Sequence, residues 1–214
     1  MSLVRPRHGR LLAAALALTI ASGPAAFAAA GKVEKIGAFT GDVPEWVKGT
    51  LEAQGYRVSL SDGTVANEIW LRKDFPGLTR GALVGVITFP RDGSDFRGQK
   101  VKAGTYTLRY AQIPEDGDHL GASPTPTFVL LIPPGEEAEP ADDLTFKEVT
   151  KMSAKASGTN HPSPMNLADA SAQKEFPAVA TNGMGHEVFF VKLKTAAGAE
   201  VPIGLVVKGR TEHE

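Results

Sequence analysis

Short apolar runs recur along the chain, and turns rich in glycine, proline and aspartate separate them. Within several runs apolar and polar residues alternate, as is typical of strands whose two faces have different surroundings. These runs are GKVEKIGAF, YRVSL, VANEIWLRK, ALVGVITFP, GTYTLRYAQI, TFVLLIPP, FPAVATN, HEVFFVKLKT and EVPIGLVVKGR. Because strands follow strands without regular helical crossovers, the pattern predicts a mainly β protein with an antiparallel β-sandwich or jelly-roll-like fold.

One or two short helices are expected between the strands. Asp42 can cap a helix near residues 44–54, and Asp142 or Asp143 can cap another near 142–156 that ends at Gly158. The acidic stretch GEEAEPADD before the second helix is typical of a solvated linker. The Pro-, Ser- and Asn-rich segment 157–166 is predicted to be a loop.

The run GTYTLRY predicts a strand with one packed and one polar face. Its apolar face comprises Tyr106, Leu108 and Tyr110, and its polar face comprises Thr105, Thr107 and Arg109. One packed face and one solvated or polar face suit an antiparallel sheet. Gly104 precedes the strand, where it can adopt a backbone conformation that other residues avoid.

The first 28 residues have the pattern of a secretory signal peptide. Three arginines precede the apolar run LLAAALALTIA, and Ala26-Phe27-Ala28 fits the small-x-small pattern before a cleavage site. The alternative, a membrane anchor, normally needs a longer apolar run. We therefore expect a periplasmic or secreted bacterial protein, with residues 29–214 as a single domain and 206–214 as a flexible tail.

Composition narrows the possible functions. The chain has no cysteine, which excludes disulfides, thiol chemistry and a lipoprotein anchor. Loss of the three leader arginines leaves 20 of the 23 basic residues against 24 acidic ones, without a basic stripe. Nucleic acid is therefore a poor candidate for a partner, and no second apolar span suggests a transmembrane segment after removal of the signal.

The segment VKAGTYTLRY, followed by GDHLG, resembles a signature of secreted bacterial proteins of unknown function. In those proteins an AGTY-x-L segment lies in a compact β-sandwich. The resemblance implies an exported β-sandwich, and it carries over no catalytic residue.

Histidines and acids in the predicted loops form a candidate metal site. His119 follows Asp116 and Asp118, His161 lies in GTNHPSP, and His186 precedes a strand. If the second helix runs back along the sheet, His161 comes to the same end as His119, and a divalent transition metal could bind there. The alternatives are unrelated loop histidines and an atypical calcium loop, whose closing position falls on Thr127 instead of an acid.

Other chemistry has less support in the sequence. A nucleophile elbow is missing, and no spacing connects serine, histidine and acid residues into a triad. Trp70 and Trp46 are candidates for carbohydrate binding, although both suit a packed position. The sequence thus favours a non-catalytic binding or structural module of the cell envelope over a metal-binding protein or metal-dependent enzyme.

Overall fold

The computed structural model describes residues 28–29, 31–95, 99–114, 125–137 and 140–209. Short strands dominate this part of the chain, together with two α-helices and one 3-10 turn at Pro134–Glu136. The strands are β1 (Ala28–Ala29), β2 (Lys32–Ile36), β3 (Gly55–Ser59), β4 (Val65–Leu71), β5 (Leu83–Phe89), β6 (Gly93–Ser94), β7 (Lys100–Val101), β8 (Gly104–Gln112), β9 (Thr127–Ile132), β10 (Pro164–Ala168), β11 (Ala178–Thr181), β12 (Glu187–Lys194) and β13 (Glu200–Lys208). The helices are α1 (Glu45–Thr50) and α2 (Phe146–Ser157).

Eleven strands form one antiparallel sheet in the order β1-β11-β12-β13-β10-β9-β8-β5-β4-β3-β2. The sheet curls until its two ends come close together, and a Cβ at Gly31, next to β2, would lie 3.0 Å from the side chain of Val179 in β11. The predicted mainly β, antiparallel class is confirmed. The sheet is nearly closed into a barrel, however, and this arrangement takes the place of the two packed sheets of a sandwich.

Inward-facing side chains fill the barrel. The interior cluster draws apolar residues from β3, β4, β5, β8, β9, β10, β11, β12 and β13, and Phe75 contributes from the loop after β4. The space left at the centre is a small, wholly apolar void between residues such as Leu108, Phe189 and Leu205. The interior is therefore a packed core with no room for a ligand.

Three smaller apolar clusters lie on the outside of the sheet. The helix α1 and the residues next to it cover Trp70, Leu83 and Val86. The helix α2 covers outer side chains of β8 and β9. Residues around Phe176 cover the outer faces of β11, β12 and β13. The chain thus buries much of the outer sheet surface under its own helices and loops.

Strand β8 has the predicted alternation, but its second face is not solvated. Tyr106, Leu108 and Tyr110 face the interior cluster. Gly104 has a φ of +146°, a backbone conformation that would be strained in a residue with a side chain. On the outer face, Thr107 and Arg109 are fully buried. Of the two surroundings expected for this face, solvated or polar, the structure shows the polar one at Thr107 and Arg109, because Glu137 from the segment after β9 hydrogen-bonds both residues.

Both helices begin at residues other than the predicted caps. The residue before α1 is Pro44, without a side-chain cap, and α2 begins after Thr145. Thr145 and Glu148 form a reciprocal capping box, and Gly158 ends α2 in the left-handed conformation as predicted. Asp142 is instead used in an ion pair with Arg72.

Two segments expected to be irregular are core strands. Pro164–Ala168, partly inside the predicted loop, forms β10 between β9 and β13. The expected tail from residue 206 is strand β13 as far as Lys208, and Val206 and Val207 are buried. The segment 157–166 was predicted to be a loop because proline, serine and asparagine are common in loops, and that prediction was wrong from Pro164 onward.

Candidate functional site

The histidines expected in a metal site lie in separate parts of the chain. His119, Asp116 and Asp118 lie outside the described residues, so the proposed metal site stays a prediction. His161 is exposed, and Ser163, two residues later, accepts a hydrogen bond from the Leu131 N–H near the last residue of β9. The segment that contains His119 joins the opposite end of β9, at Thr127. The backbone near His161 therefore lies at the end of β9 near Leu131, and not at the end near Thr127 that the predicted helix direction required.

His186 is buried at the start of β12, and its Nδ1 has no hydrogen-bond partner among the described residues. Burial lowers the pKa of this imidazole. Across the described part of the chain, no three histidine and acidic side chains are grouped closely enough to hold a metal ion. His186 is thus a buried histidine that belongs to no such group among the described residues.

The two tryptophans lie in packed positions. Trp70 is buried, donates from Nε1 to the Gly37 carbonyl at 2.9 Å, and meets the Phe39 ring edge-on at 5.0 Å between centroids. Its ring covers Gly55, where a Cβ would lie 2.5 Å from Nε1. Trp46 is half-buried, with the Arg109 guanidinium 5.7 Å from its ring centroid. Trp70 is thus a packed residue, and a role of Trp46 in carbohydrate binding stays a prediction.

A buried arginine–glutamate pair fixes the segment after β9. Arg109 donates from Nε and Nη2 to the Glu137 carboxylate, with the shortest contact at 2.6 Å, and both side chains are almost fully buried. Its Nη1 donates to the carbonyls of Gly81 and Ala141, at 2.6 and 2.5 Å. The Thr107 hydroxyl completes the group by donating to Glu137 at 2.6 Å. The expectation that the acids of this stretch are solvated was therefore wrong for Glu137.

A second ion pair reinforces this attachment. Arg72 Nη1 donates to Asp142 at 2.5 Å, and the Leu83 N–H donates to the same carboxylate oxygen at 3.3 Å. Burial raises the pKa of Asp142, but the hydrogen bonds from Arg72 and Leu83 outweigh it, so the pKa is lowered overall. Arg109 lies in β8 and Arg72 directly follows β4, and each pairs with an acid of the segment 133–145. Both pairs therefore hold that segment in place.

A third group of polar residues lies partly exposed on the outer sheet surface. We call it the polar face, and its members stand side by side across five neighbouring strands: Glu34, Arg57, Glu68, Thr88 and Thr105. Arg57 donates from Nε to Glu68 at 2.9 Å, and the hydroxyls of Thr88 and Thr105 are 3.0 Å apart. All five side chains are partly exposed. The hairpin of β3 and β4 could have revealed the Arg57–Glu68 pair from sequence, since its turn SDGT sets the register.

Two open recesses border the polar face, one on each side of the β3–β4 turn. The first has a volume of about 580 Å³ and is lined by Asp62, Gly63, Thr64, Val65, Pro90 and Arg91. The second, of about 590 Å³, is lined by Gly31, Lys32, Glu34, Ser59, Leu60, Ser61 and Gly63. Glu34 belongs to both the polar face and the second recess, so the polar face and the second recess form one continuous surface.

The β3–β4 turn between the recesses is tied to β12. Ser61 donates its backbone N–H and its hydroxyl to the two carboxylate oxygens of Glu187, at 2.8 and 3.0 Å. Lys208 Nζ lies 3.9 Å from Glu187 and 3.8 Å from Asp62. Since both Glu187 oxygens are occupied by Ser61, this carboxylate fixes the turn and thereby the shape of both recesses.

Comparisons with known proteins give no relative. No family model matches the chain, and neither the curated proteins nor the solved structures include a significant match. The resemblance of VKAGTYTLRY to secreted β-sandwich proteins therefore stays a prediction. Among the described helices, none is long and apolar enough to cross a membrane.

Proposed function

We propose that this chain is an exported protein of the bacterial cell envelope that acts as a non-catalytic binding module, with the polar face and its two recesses as the binding surface. The observation that carries the proposal is the contrast between the outer surfaces of the sheet. On three other parts of the sheet, apolar outer side chains lie under α1, α2 or the segment around Phe176. Among the described residues, no helix or loop cluster of this kind lies over the polar face, and at Glu34 the polar face adjoins concave space.

The chemistry of this surface indicates the class of ligand. Acids and bases alternate on it, with Glu34 beside Arg57 and Arg57 beside Glu68, and hydroxyl groups continue the row. Such a surface suits a polar ligand that carries both amines and carboxylates along with hydroxyl groups. Cell-wall peptidoglycan, a glycan with short peptides, has this chemistry. An apolar ligand is disfavoured because the barrel interior is already filled.

Export is tested by fractionating cells that express the whole chain. The expected result is a periplasmic or secreted protein whose N-terminal sequence begins near Ala29. A charged substitution in the apolar run, Leu16→Arg, should retain the full-length chain in the cytoplasm. Export would be refuted if the unaltered chain and the Leu16→Arg variant were distributed equally between the cytoplasmic and the exported fractions.

Binding is tested by cosedimentation of the mature chain with purified peptidoglycan sacculi. Arg57→Glu should reduce binding by about tenfold or more, because it reverses a charge at the centre of the polar face. The matched control is Lys192→Glu, which alters a similarly exposed lysine–glutamate pair on β12 and β13, where Lys192 Nζ contacts Glu200 at 2.7 Å. Absence of binding by the unaltered chain, or equal losses in the two variants, would rule out the polar face as a cell-wall site.

A further inference from the structure

The turn between β11 and β12 contains the one Asn-Gly step in the chain, Asn182–Gly183. The other three asparagines, Asn67, Asn160 and Asn166, are followed by glutamate, histidine and leucine. Because glycine has no side chain, its own backbone nitrogen can approach the side-chain amide carbon of the preceding asparagine. Gly183 is exposed, so this step of the turn is open to solvent.

Two backbone donors are directed at the side-chain oxygen of Asn182. Its Oδ1 accepts hydrogen bonds from the N–H groups of Met184 and His186, each at 3.0 Å. The turn itself is held by two more bonds, from the Gly185 N–H to the Asn182 carbonyl and from the Asn182 N–H to the His186 carbonyl. The two donors are therefore part of a fixed turn and are in place before any reaction occurs.

We propose that Asn182 is a site of spontaneous, structure-promoted deamidation. The Gly183 backbone nitrogen loses its proton to solvent base and attacks Cγ of Asn182. A new C–N bond closes a five-membered succinimide, the bond from Cγ to Nδ2 breaks, and the amide leaves as ammonia. Water then opens the ring to give aspartate or isoaspartate at position 182.

The hydrogen bonds to Oδ1 explain why the fold promotes this reaction. As the nitrogen adds to Cγ, negative charge develops on Oδ1, and the Met184 and His186 N–H groups already point at that atom. Preorganised donors at a developing oxyanion lower the barrier to acyl transfer, and one such donor is worth roughly a hundredfold or more in enzymes. The aspartate product keeps both bonds, now to a charged acceptor.

The product also adds a negative charge near a buried, uncharged group. His186, four residues after Asn182, is buried and has no partner on Nδ1 among the described residues. A carboxylate at position 182 would therefore favour protonation of His186. Isoaspartate would instead lengthen the backbone between β11 and β12 and disturb the start of β12.

The test compares the deamidation rate of the folded chain with that of the same chain unfolded in urea, at equal pH and temperature. Tryptic cleavage after Lys174 and Lys192 isolates the peptide Glu175–Lys192, which contains Asn182 as its only asparagine. Mass spectrometry then follows the conversion. We expect the folded chain to react about tenfold faster than the unfolded chain, because only the folded turn presents both donors.

Gly183→Ala provides a matched control, because a Cβ at this position would meet no atom within 4 Å and the turn should be retained. The methyl group hinders approach of the nitrogen, so this variant should deamidate more slowly in both states. An equal or slower rate in the folded chain would overturn the proposal. So would conversion that maps to Asn67, Asn160 or Asn166 in preference to Asn182.

Discussion

Two arginine–glutamate pairs lie on the outer side of the same sheet and have different surroundings. Arg109 and Glu137 are almost completely buried and are joined by three hydrogen bonds, whereas Arg57 and Glu68 are partly exposed, with 43% and 25% of their side chains accessible. The contacts between charged groups are similarly short, at 2.6 and 2.8 Å. The difference lies in what covers the pair and in which other groups hydrogen-bond to it.

This comparison separates residues that hold the fold from residues free to bind a ligand. A buried charge that loses its partner is left in a poorly solvated environment, so its partner cannot be removed without a large cost. An exposed pair is solvated by water, contributes little to stability, and can exchange its partner for a ligand. The same chemistry therefore serves as an attachment point at Arg109 and as an accessible surface at Arg57.

The largest effect is expected from Glu137→Ala. The variant leaves the Arg109 guanidinium buried and without its carboxylate, and the free energy of unfolding should fall by about 3–5 kcal/mol. Urea denaturation followed by circular dichroism would measure the change. The double variant Arg109→Met, Glu137→Leu should regain part of that loss, because apolar groups can replace a buried pair, although the Gly81 and Ala141 carbonyls lose their donor. A loss below about 1 kcal/mol in the single variant would show that water solvates Arg109 despite its burial.

A gain in stability is expected from Asn67→Leu. Asn67 is fully buried, and neither atom of its side-chain amide has a hydrogen-bond partner among the described residues. Since a buried polar group without a partner costs about 1–3 kcal/mol, the variant should raise the free energy of unfolding by about 1 kcal/mol. Thr107→Val is the counterpart, because it removes a buried hydroxyl that donates to Glu137, and it should lower stability. If both variants lower the free energy of unfolding, the presence of a hydrogen-bond partner does not decide whether a buried polar side chain stabilises this protein.

The third effect concerns pH and His186. Burial lowers the pKa of His186 in the folded state below that of the unfolded chain. The unfolded state therefore binds more protons as the pH falls through the ordinary histidine range, and stability decreases on acidification from neutral pH. His186→Leu should remove this part of the pH dependence. Denaturation curves at a series of pH values would check it, and an unchanged slope in the variant would assign the dependence to other groups.

The smallest effect is expected from Arg57→Ala. Loss of this exposed pair should lower the free energy of unfolding by less than about 1 kcal/mol, and high salt should reduce the difference further. The measurement is the same urea denaturation at low and high ionic strength. A loss as large as that in Glu137→Ala would mean that the polar face is part of the structural framework and not a free surface.

Local sequence patterns predicted the strands well. The face of β8 with Tyr106, Leu108 and Tyr110, and the end of α2 at Gly158, depend on alternation and on glycine stereochemistry within a few residues. Strand β10 was missed because its pairing with β9 and β13 outweighs a composition typical of loops.

The buried pair and the polar face depend on contacts that local patterns do not contain. Glu137 is 28 residues from Arg109 in the chain, and the polar face requires the registers of four neighbouring strand pairs at once. Asp142 satisfied the local rule for a helix cap, but its pairing with Arg72, 70 residues away, took precedence. Sequence reasoning also drew attention to histidines and tryptophans, whereas the accessible polar surface is built from common charged residues and threonines.

The central claim is that the polar face is a binding surface while the buried pair is structural, and the arginine Nε–H signals in a nitrogen–proton NMR spectrum test it most directly. Both Arg57 and Arg109 donate from Nε to glutamate, so one spectrum reports on both pairs. Titration with soluble peptidoglycan fragments should shift the Arg57 signal and leave the Arg109 signal unchanged. A stationary Arg57 signal at saturating fragment, or a shift of Arg109 instead, would contradict the account.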